Sequence, residues 1–440
     1  MLARGVTMKQ LILKKIKDNK EKVGILGLGY VGLPLAVSFA KKGVNVLGFE
    51  KNQTKIKMIA SSKNYINDID SNEFNEVVHS GCLKATSDFS RIKECDAIII
   101  CVPTPLDKFK KPDMSFIESA CTAIGTYMGK GTFISLESTT YPTTTEDVML
   151  PILERESNMK AGKDFWLAFS PERVDPGNQI YNIENTPKVI GAMTKDGLEI
   201  GTALYSKIIN HLHTVSSPRV AEMVKILENT YRLINISLVN ELALLAGKMD
   251  IDIWEVIEAA KTKPYGFQAF YPGPGVGGHC ISLDPFYLEY IAKKFGFDLT
   301  MVETAGHIDN IMAHQMTLKI ASALNTQKKS INGSKILFLG VAYKPNINDE
   351  RESPALKIID EVIKKRGTVN YYDPFISNIT TANGNQLKSS KNAIKNLEQY
   401  DCVVITTKHS CFDAKEIKAK SKLIVDLQNM FKKDKNIYKL

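Results

Sequence analysis

The chain has no C-x-x-C pair, no long apolar run and little excess of either charge. Its seven cysteines (Cys82, Cys95, Cys101, Cys121, Cys280, Cys402, Cys411) are odd in number and scattered. That pattern argues against a disulfide framework and a zinc site, and for a reducing, cytoplasmic compartment. His211 and His213 lack thiolate or carboxylate companions at ligand spacing, so no metal site is expected. No stretch approaches the roughly 18 continuous apolar residues of a membrane span. Met1 to Lys22 mixes basic residues with one short apolar patch, Leu11-Ile12-Leu13. It is too polar for a signal peptide, and residues 1–20 are expected to form a loose arm. Lysine plus arginine, 57, against aspartate plus glutamate, 48, leaves +9, part of it near the ends at Lys14, Lys15, Lys17, Lys20, Lys432, Lys433, Lys435 and Lys439. A solvated lysine-rich surface accounts for this better than a nucleic-acid stripe, so no nucleic-acid partner is expected.

What is present is globular: 44% hydrophobic and 24% charged residues over 440 positions, too long for one core and suited to two or three domains. The first regular element runs Val23 to Leu26 and enters Gly27-Leu28-Gly29-Tyr30-Val31-Gly32, then an apolar helix to Lys42-Gly43. A second strand, Val44 to Phe49, closes with Glu50, eighteen residues after Gly32. A bare G-x-G-x-x-G is weak, but strand, turn, helix and strand-end acid together form a dinucleotide-binding fingerprint. Gly27 permits the tight turn, Gly29 admits a pyrophosphate, and Gly32 allows close packing. Glu50 would hold ribose hydroxyls and repel a 2′-phosphate, which favours NAD over NADP.

Further strands end in polar loops: Ala97 to Cys101 into Val102-Pro103-Thr104-Pro105, Thr132 to Leu136 into Glu137-Ser138-Thr139, and Trp166 to Phe169 into Ser170-Pro171-Glu172-Arg173 and on to Gly177. Ligands in open α/β sheets bind outside such strand ends. From Pro218 to about Lys248 a helical pattern places Val220, Met223, Val224, Leu227, Ile234, Leu238, Leu242 and Leu245 at apolar spacing. Lys225 and Asn229 lie one turn apart on it. A lysine among apolar positions suits acid, base or oxyanion chemistry; a snorkelling surface lysine is the competing reading. Helices are also expected over Ile253 to Ala260 and Pro285 to Phe295.

Between these last two lies Tyr271-Pro-Gly-Pro-Gly-Val-Gly-Gly-His-Cys-Ile-Ser-Leu-Asp-Pro285. So much glycine and proline forbids a regular helix or central strand. The loop delivers a thiol, Cys280, and a carboxylate, Asp284, four residues on. A helix starting near Ile281 or Ser282 would favour a thiolate at Cys280, which is a competent nucleophile. On this stretch alone, a buried structural cysteine competes equally. After a Gln327 to Gly333 linker the α/β pattern restarts: a strand at Lys335 to Gly340, a helix at Ser353 to Arg366, a strand at Gly367 to Tyr372 ending in Asp373-Pro374, and strands at Cys402 to Thr406 and Leu423 to Val425. The fold expected is α/β: two Rossmann-like doubly wound domains, 21–215 and 331–440, joined by a long central helix in a helical middle domain, 216–330.

These motifs, with Ala342-Tyr343-Lys344 and Glu350-Arg351-Glu352-Ser353, resemble the nucleotide-sugar 6-dehydrogenase family (UDP-glucose, GDP-mannose and UDP-N-acetylhexosamine dehydrogenases) from Lys22 to about Met430. The loop form is most similar to the UDP-N-acetylhexosamine members, and Glu350-Arg-Glu-Ser-Pro354 leans toward UDP-N-acetylglucosamine. The resemblance implies a four-electron oxidation of a C-6 alcohol with NAD, in surface-polysaccharide synthesis. In that reading Cys280 forms a thiohemiacetal and then a thioester, and Lys225 and Asn229 stabilise oxyanions. Asp284, Glu172 and Thr139 handle water and protons. Substrate contacts are implied for Glu172, Arg173, Lys225, Asn229, Tyr271, Gly277 and Lys344. Cofactor contacts are implied for Gly27 to Gly32, Glu50, Lys55, Val102, Thr104, Ser138, Thr139 and Arg351. Two departures stand out: Glu50 replaces the usual aspartate, and Gln428 stands where many members carry a substrate-binding arginine.

A two-electron β-hydroxyacid dehydrogenase would also pair a Rossmann domain with a catalytic lysine, but gives Cys280 no role. A non-catalytic nucleotide-sugar sensor would need a broken thiol or lysine site. The apolar face of the long helix is broader than one bridging contact requires, so a homodimer or larger assembly is expected.

Overall fold

The computed structural model describes residues 6–66, 68–107, 111–175, 178, 180–278 and 280–440. The chain divides into two compact units. One runs up to Glu228 and includes Phe286–Phe295; the other is Asn229–Pro285 with Gly296–Leu440. Residues expected to form a separate middle domain are shared between them.

The first unit is built on eight strands: β1 (Lys22–Leu26), β2 (Asn45–Phe49), β3 (Leu83–Thr86), β4 (Ala97–Ile100), β5 (Thr132–Leu136), β6 (Phe165–Phe169), β7 (Lys188–Ala192) and β8 (Leu212–Val215). Their order is β3-β2-β1-β4-β5-β6-β7-β8, parallel throughout except where β7 runs against β6. The order reverses direction between β1 and β4, which opens a crevice at their carboxyl ends. Both faces are covered at the centre of the sheet, so β4 and β6 are continuous apolar runs. In β4 the pleat sends Ala97 and Ile99 into one core and Ile98 and Ile100 into the other. Each of these isoleucines is fully buried and contributes about 2 kcal/mol.

The N-terminal segment is not loose. Met8–Lys17 is a helix with a Thr7/Gln10 capping box. Ile12 and Ile16 enter the core, and Lys9 pairs with Asp196 at 2.9 Å. The apolar pair at one helical face outweighs the lysines on the other.

The second unit carries a five-stranded parallel sheet, with the hairpin β11 (Asn378–Thr380) and β12 (Gln386–Lys388) beside it. In the sheet, β9 (Lys335–Leu339) lies between β10 (Thr368–Tyr372) and β13 (Cys402–Ile405), followed by β14 (Ile424–Asp426) and β15 (Ile437–Lys439). Here the turn after β9, opened by Gly340 at φ +81°, is filled from within the chain. The Asp373 carboxylate accepts the Val341 and Ala342 N–H groups at 2.7 and 3.0 Å and meets His409 at 3.0 Å. A 27-residue helix, Thr300–Thr326, packs Met312, Met316 and Ile320 onto Ile336, Phe338 and Ile358. No described helix is long and apolar enough to cross a membrane.

Candidate active site

In the first unit the turns after β1, β4 and β5 meet. Gly27 has φ +90°, and a Cβ there would lie 2.6 Å from the Cys101 carbonyl oxygen. A Cβ on Gly32 would collide with the Gly27 carbonyl. Around Gly29, by contrast, no described atom lies within 4 Å of a Cβ position, so the backbone is open to a ligand. Gly27 thus makes the tight turn, Gly32 the close packing, and Gly29 is left open. Glu50 follows β2, and its Oε2 accepts the Leu28 N–H at 3.3 Å while Oε1 accepts the Asn52 N–H at 2.9 Å. Lys55 stands 3.6 Å from Glu50 and over the Tyr65 ring, whose hydroxyl donates to the Leu28 carbonyl at 2.7 Å. Ser138 donates to the Val102 carbonyl at 2.7 Å, joining the loops after β4 and β5. Thr104 is buried and accepts from Tyr287. An open glycine backbone beside a strand-end carboxylate fits a dinucleotide pyrophosphate and ribose.

Glu172 and Arg173 follow β6. Glu172 turns onto its own backbone, accepting the Arg173 and Val174 N–H groups at 2.8 and 2.6 Å. Arg173 donates to the Pro187 carbonyl at 2.7 Å and pairs with Glu228 at 2.6 Å. Deeper, Lys188 pairs with the fully buried Glu137 at 2.7 Å and donates to the Pro171 carbonyl at 3.1 Å. Burial is the largest single influence and pulls the Lys188 amine down, but the Glu137 and Glu172 charges and the Glu137 hydrogen bond together outweigh it and leave the amine above its ordinary value. Lys225 is half-buried on the Pro218–Lys248 helix.

The thiol loop belongs to the second unit. Gly277 and Gly278 have φ +65° and +77°, and a Cβ on either would press on Tyr343 at about 3 Å. Side chains hold the loop backbone: Asn240 accepts the Gly273 N–H at 2.9 Å and Asp309 the Val276 N–H at 2.7 Å. Cys280 is exposed, which removes the buried structural reading. The helix begins at Asp284, later than expected. Even so, the Cys280 carbonyl accepts the Leu283 and Asp284 N–H groups at 3.2 and 2.8 Å, so a turn leads from thiol to helix. The Asn229 amide donates to Asp284 at 2.5 Å. His279 of the thiol motif, with Pro176 and Gly177 after Arg173, lies outside the described residues.

Tyr271 stacks on Trp254 at 5.8 Å and donates to Glu258 at 2.6 Å. Lys344 is half-buried in the Tyr343–Ser353 segment. Arg351, expected at the cofactor, lies in this unit with its guanidinium on Asp349 at 2.6 to 3.1 Å. Gln428 faces the loop: its Nε2 lies 3.7 Å from a Cβ position on Gly273. Sequence reasoning missed Asn240, Glu137, Lys188 and Glu222. For Asn240 and Glu222 the available signal was a polar residue within an apolar run; Glu137 and Lys188 stand at strand ends among polar or proline neighbours and offered none. Among the described residues no group of three His, Cys, Asp or Glu could hold a metal.

An NAD-type crevice in one unit and an exposed thiol beside buried Asn229 and Asp284 in the other define a dehydrogenase with a candidate nucleophile. The chain matches the UDP-glucose/GDP-mannose dehydrogenase family in three parts: the NAD binding domain over residues 21–209, the central domain over 219–310 and the UDP binding domain over 337–433. It is 35% identical over 357 residues to a UDP-N-acetyl-D-glucosamine 6-dehydrogenase of Pseudomonas aeruginosa, covering 81% of this chain and 83% of that protein. A UDP-D-ManNAc dehydrogenase from Pyrococcus horikoshii superposes with a TM-score of 0.86 at 32% identity, covering 95% of this chain and 98% of that one. An NDP-N-acetyl-D-galactosaminuronic acid dehydrogenase from Methanosarcina mazei gives 0.83 at 30% identity, with 99% and 98% covered. The chain belongs to the UDP-glucose/GDP-mannose dehydrogenase family and is an NAD-dependent nucleotide-sugar dehydrogenase.

Proposed function

We propose that the protein oxidises the C-6 alcohol of UDP-N-acetylglucosamine to the carboxylate through a thioester on Cys280. The observation that carries this reading is the exposed thiol of Cys280, four residues before the Asp284 carboxylate that holds Asn229. NAD, held by the Gly27–Gly32 turn, Glu50, Lys55 and the Val102–Thr104 and Ser138–Thr139 loops, supplies a hydride acceptor for each of the two oxidations. Lys225 takes the alcohol proton at the first. Cys280 then adds to the aldehyde carbon, and Lys225 and Asn229 steady the oxyanion. The covalent adduct is what makes a second hydride available, since an aldehyde carries no leaving group. Asp284, with Glu172 and Thr139, directs water to the thioester, which frees the carboxylate and returns the thiolate. Arg173, Tyr271, Gly277 and Lys344 would hold the nucleotide sugar, and Arg351 would serve the cofactor.

The Pseudomonas relative supports the gluco substrate, while the Pyrococcus structure supports UDP-N-acetylmannosamine as the second reading. We infer cytoplasmic action from the cysteine pattern. We also infer a homodimer or larger assembly on the long helix. Val220, Met223, Leu227, Tyr231, Leu238, Leu242 and Leu245 are all exposed along one stripe of it, Leu227 at 58%.

The test counts NADH formed per nucleotide sugar at completion, with UDP-GlcNAc, UDP-ManNAc, UDP-GalNAc and UDP-glucose in turn. Two per UDP-GlcNAc, with turnover abolished in Cys280→Ser, is expected. One per sugar, indifferent to that substitution, would make the enzyme a simple alcohol dehydrogenase.

A further inference from the structure

Glu222 stands three residues before Lys225 on the Pro218–Lys248 helix, fully buried and used by no step above. Its carboxylate gathers three donors from one segment of the first unit. Oε2 accepts the Thr143 N–H at 2.7 Å; Oε1 accepts the Thr145 N–H at 2.9 Å and the Thr145 hydroxyl at 2.6 Å. That segment is strained. Thr143 holds φ +86°, which a β-branched residue resists, and its buried hydroxyl finds no hydrogen-bond partner among the described residues. The next five residues, Thr145–Met149, wind as a π-helix, a rare form found mostly at functional positions. Strain of this kind persists only where the surroundings over-determine it.

Followed backwards, the same segment leads to Thr139 and to Ser138, whose hydroxyl joins the loop after β4. Followed three residues forward, the helix of Glu222 presents Lys225. The carboxylate therefore joins an element that carries Lys225 to one that carries Ser138 and Thr139. Burying an acid here has a cost: desolvation pushes the Glu222 carboxyl up to about 7, against the Thr145 and Thr143 hydrogen bonds and with the nearby Glu146 charge. A single amide oxygen would accept part of this set at less cost. Two oxygens are needed to take donors from both sides of Thr144.

We propose that Glu222 is a positioning residue that fixes the register between the helix presenting Lys225 and the segment presenting Ser138 and Thr139. The proposal rests on the reading that Lys225 acts in the chemistry. It deepens that reading by naming what holds the lysine in place.

The test uses the full-length enzyme in three variants: Glu222→Gln, which keeps one oxygen acceptor, Glu222→Leu, which keeps none, and Lys225→Met. Three quantities are measured: kcat, the dissociation constant for NADH by fluorescence titration, and amide exchange over residues 143–149. We expect kcat to fall about tenfold in the Gln variant and about a hundredfold in the Leu variant, the scale on which misplacing a catalytic group acts. Exchange over 143–149 should quicken in the same order. The NADH constant should weaken by much less than kcat falls, because the Gly27–Gly32 turn, Glu50 and Lys55 hold the cofactor outside the segment and only Ser138 and Thr139 ride on it. If kcat in the Leu variant stays within about twofold of the parent, the proposal fails. It fails equally if NADH affinity and the thermal midpoint fall as steeply as kcat, as a purely structural role would require. Full turnover in Lys225→Met would remove the underlying reading as well; a dead lysine variant beside active Glu222 variants would remove the positioning role alone.

Discussion

The Asn229 amide donates to the Asp284 carboxylate at 2.5 Å, with 4% and 3% of the two residues exposed. One partner lies on the long helix and the other heads the helix after the thiol. The bond ties an expected oxyanion donor to an expected acid–base group, so each orients the other.

Replacing Asp284 with alanine leaves a buried amide without this acceptor and should lower stability by about 1–3 kcal/mol. Asp284→Asn, which still accepts, should unfold closer to the parent yet lose the basic carboxylate. Urea midpoints read the first effect. Accumulation of a covalent thioester on Cys280, seen by intact mass, reads the second. An Asp284→Ala midpoint equal to the parent would refute the structural half.

Glu222 makes stability depend on pH in an unusual direction. In the unfolded chain it ionises near its ordinary 4.5, but in the folded protein only near 7. Between those values the folded state binds the extra proton, so this contribution is fully present below about 4.5 and lost as pH rises to 7. The loss is about 3 kcal/mol at most. Unfolding free energies measured from pH 4.5 to 7 should therefore show a downward component that Glu222→Gln abolishes. Identical slopes in parent and variant would contradict the assignment.

Gly278→Ala forces a side chain into a positive-φ position against the Tyr343 ring. The change should cost about 1–2 kcal/mol at minimum. It should lower turnover far more than NADH affinity, because the loop it distorts belongs to the second unit. Steady-state kinetics and NADH titration on the same preparation decide between these outcomes.

Glu50→Gln keeps one oxygen acceptor for the Leu28 or the Asn52 N–H but removes the charge that would repel a 2′-phosphate. The ratio of kcat/KM for NAD over NADP should fall about tenfold or more, as one lost like-charge contact implies. A ratio unmoved by the substitution would mean that cofactor choice is made elsewhere.

The exposed stripe on the long helix should be self-associating. Leu227→Glu with Leu238→Glu is expected to convert the assembly to a 49 kDa species in sedimentation. A parent that already sediments at that mass would end the proposal.

Much of this was legible in the residues because glycine and proline positions are informative out of context. The Gly27–Gly32 turn and the Tyr271–Asp284 loop were read on backbone demands alone, and the structure gives Gly27, Gly32, Gly275, Gly277 and Gly278 strained or crowded places that other residues would not fit. The Thr300–Thr326 helix was not read, although it is longer than most. Its buried stripe includes Ala305, Gly306, Ala313, Thr317 and Ala323, small residues whose apolar period is faint. The edge strand β8, Leu212–Val215, is half-exposed and carries no apolar run. Along the central helix the stripe of strong apolar residues faces outward while Ala221, Ile226, Leu233 and Ala243 are buried. Periodicity reports that a face is apolar, not what covers it. The Glu137–Lys188 pair was invisible for another reason: buried charge is defined by tertiary partners, which no spacing rule encodes.

The Asp373 carboxylate fills the turn after β9, where the first sheet leaves Gly29 open. One internal anion thus makes the two turns unequal: among the described residues, the turn after β1 keeps an uncovered glycine where the turn after β9 is filled. On the proposed route, which consumes two cofactor molecules, the turn after β1 would serve twice. The half-oxidised sugar has to be retained through that exchange, and a bond to Cys280 would serve as a tether as well as a route to the second hydride. The prediction embedded in this asymmetry is kinetic: free aldehyde should stay undetectable even when NAD is scarce.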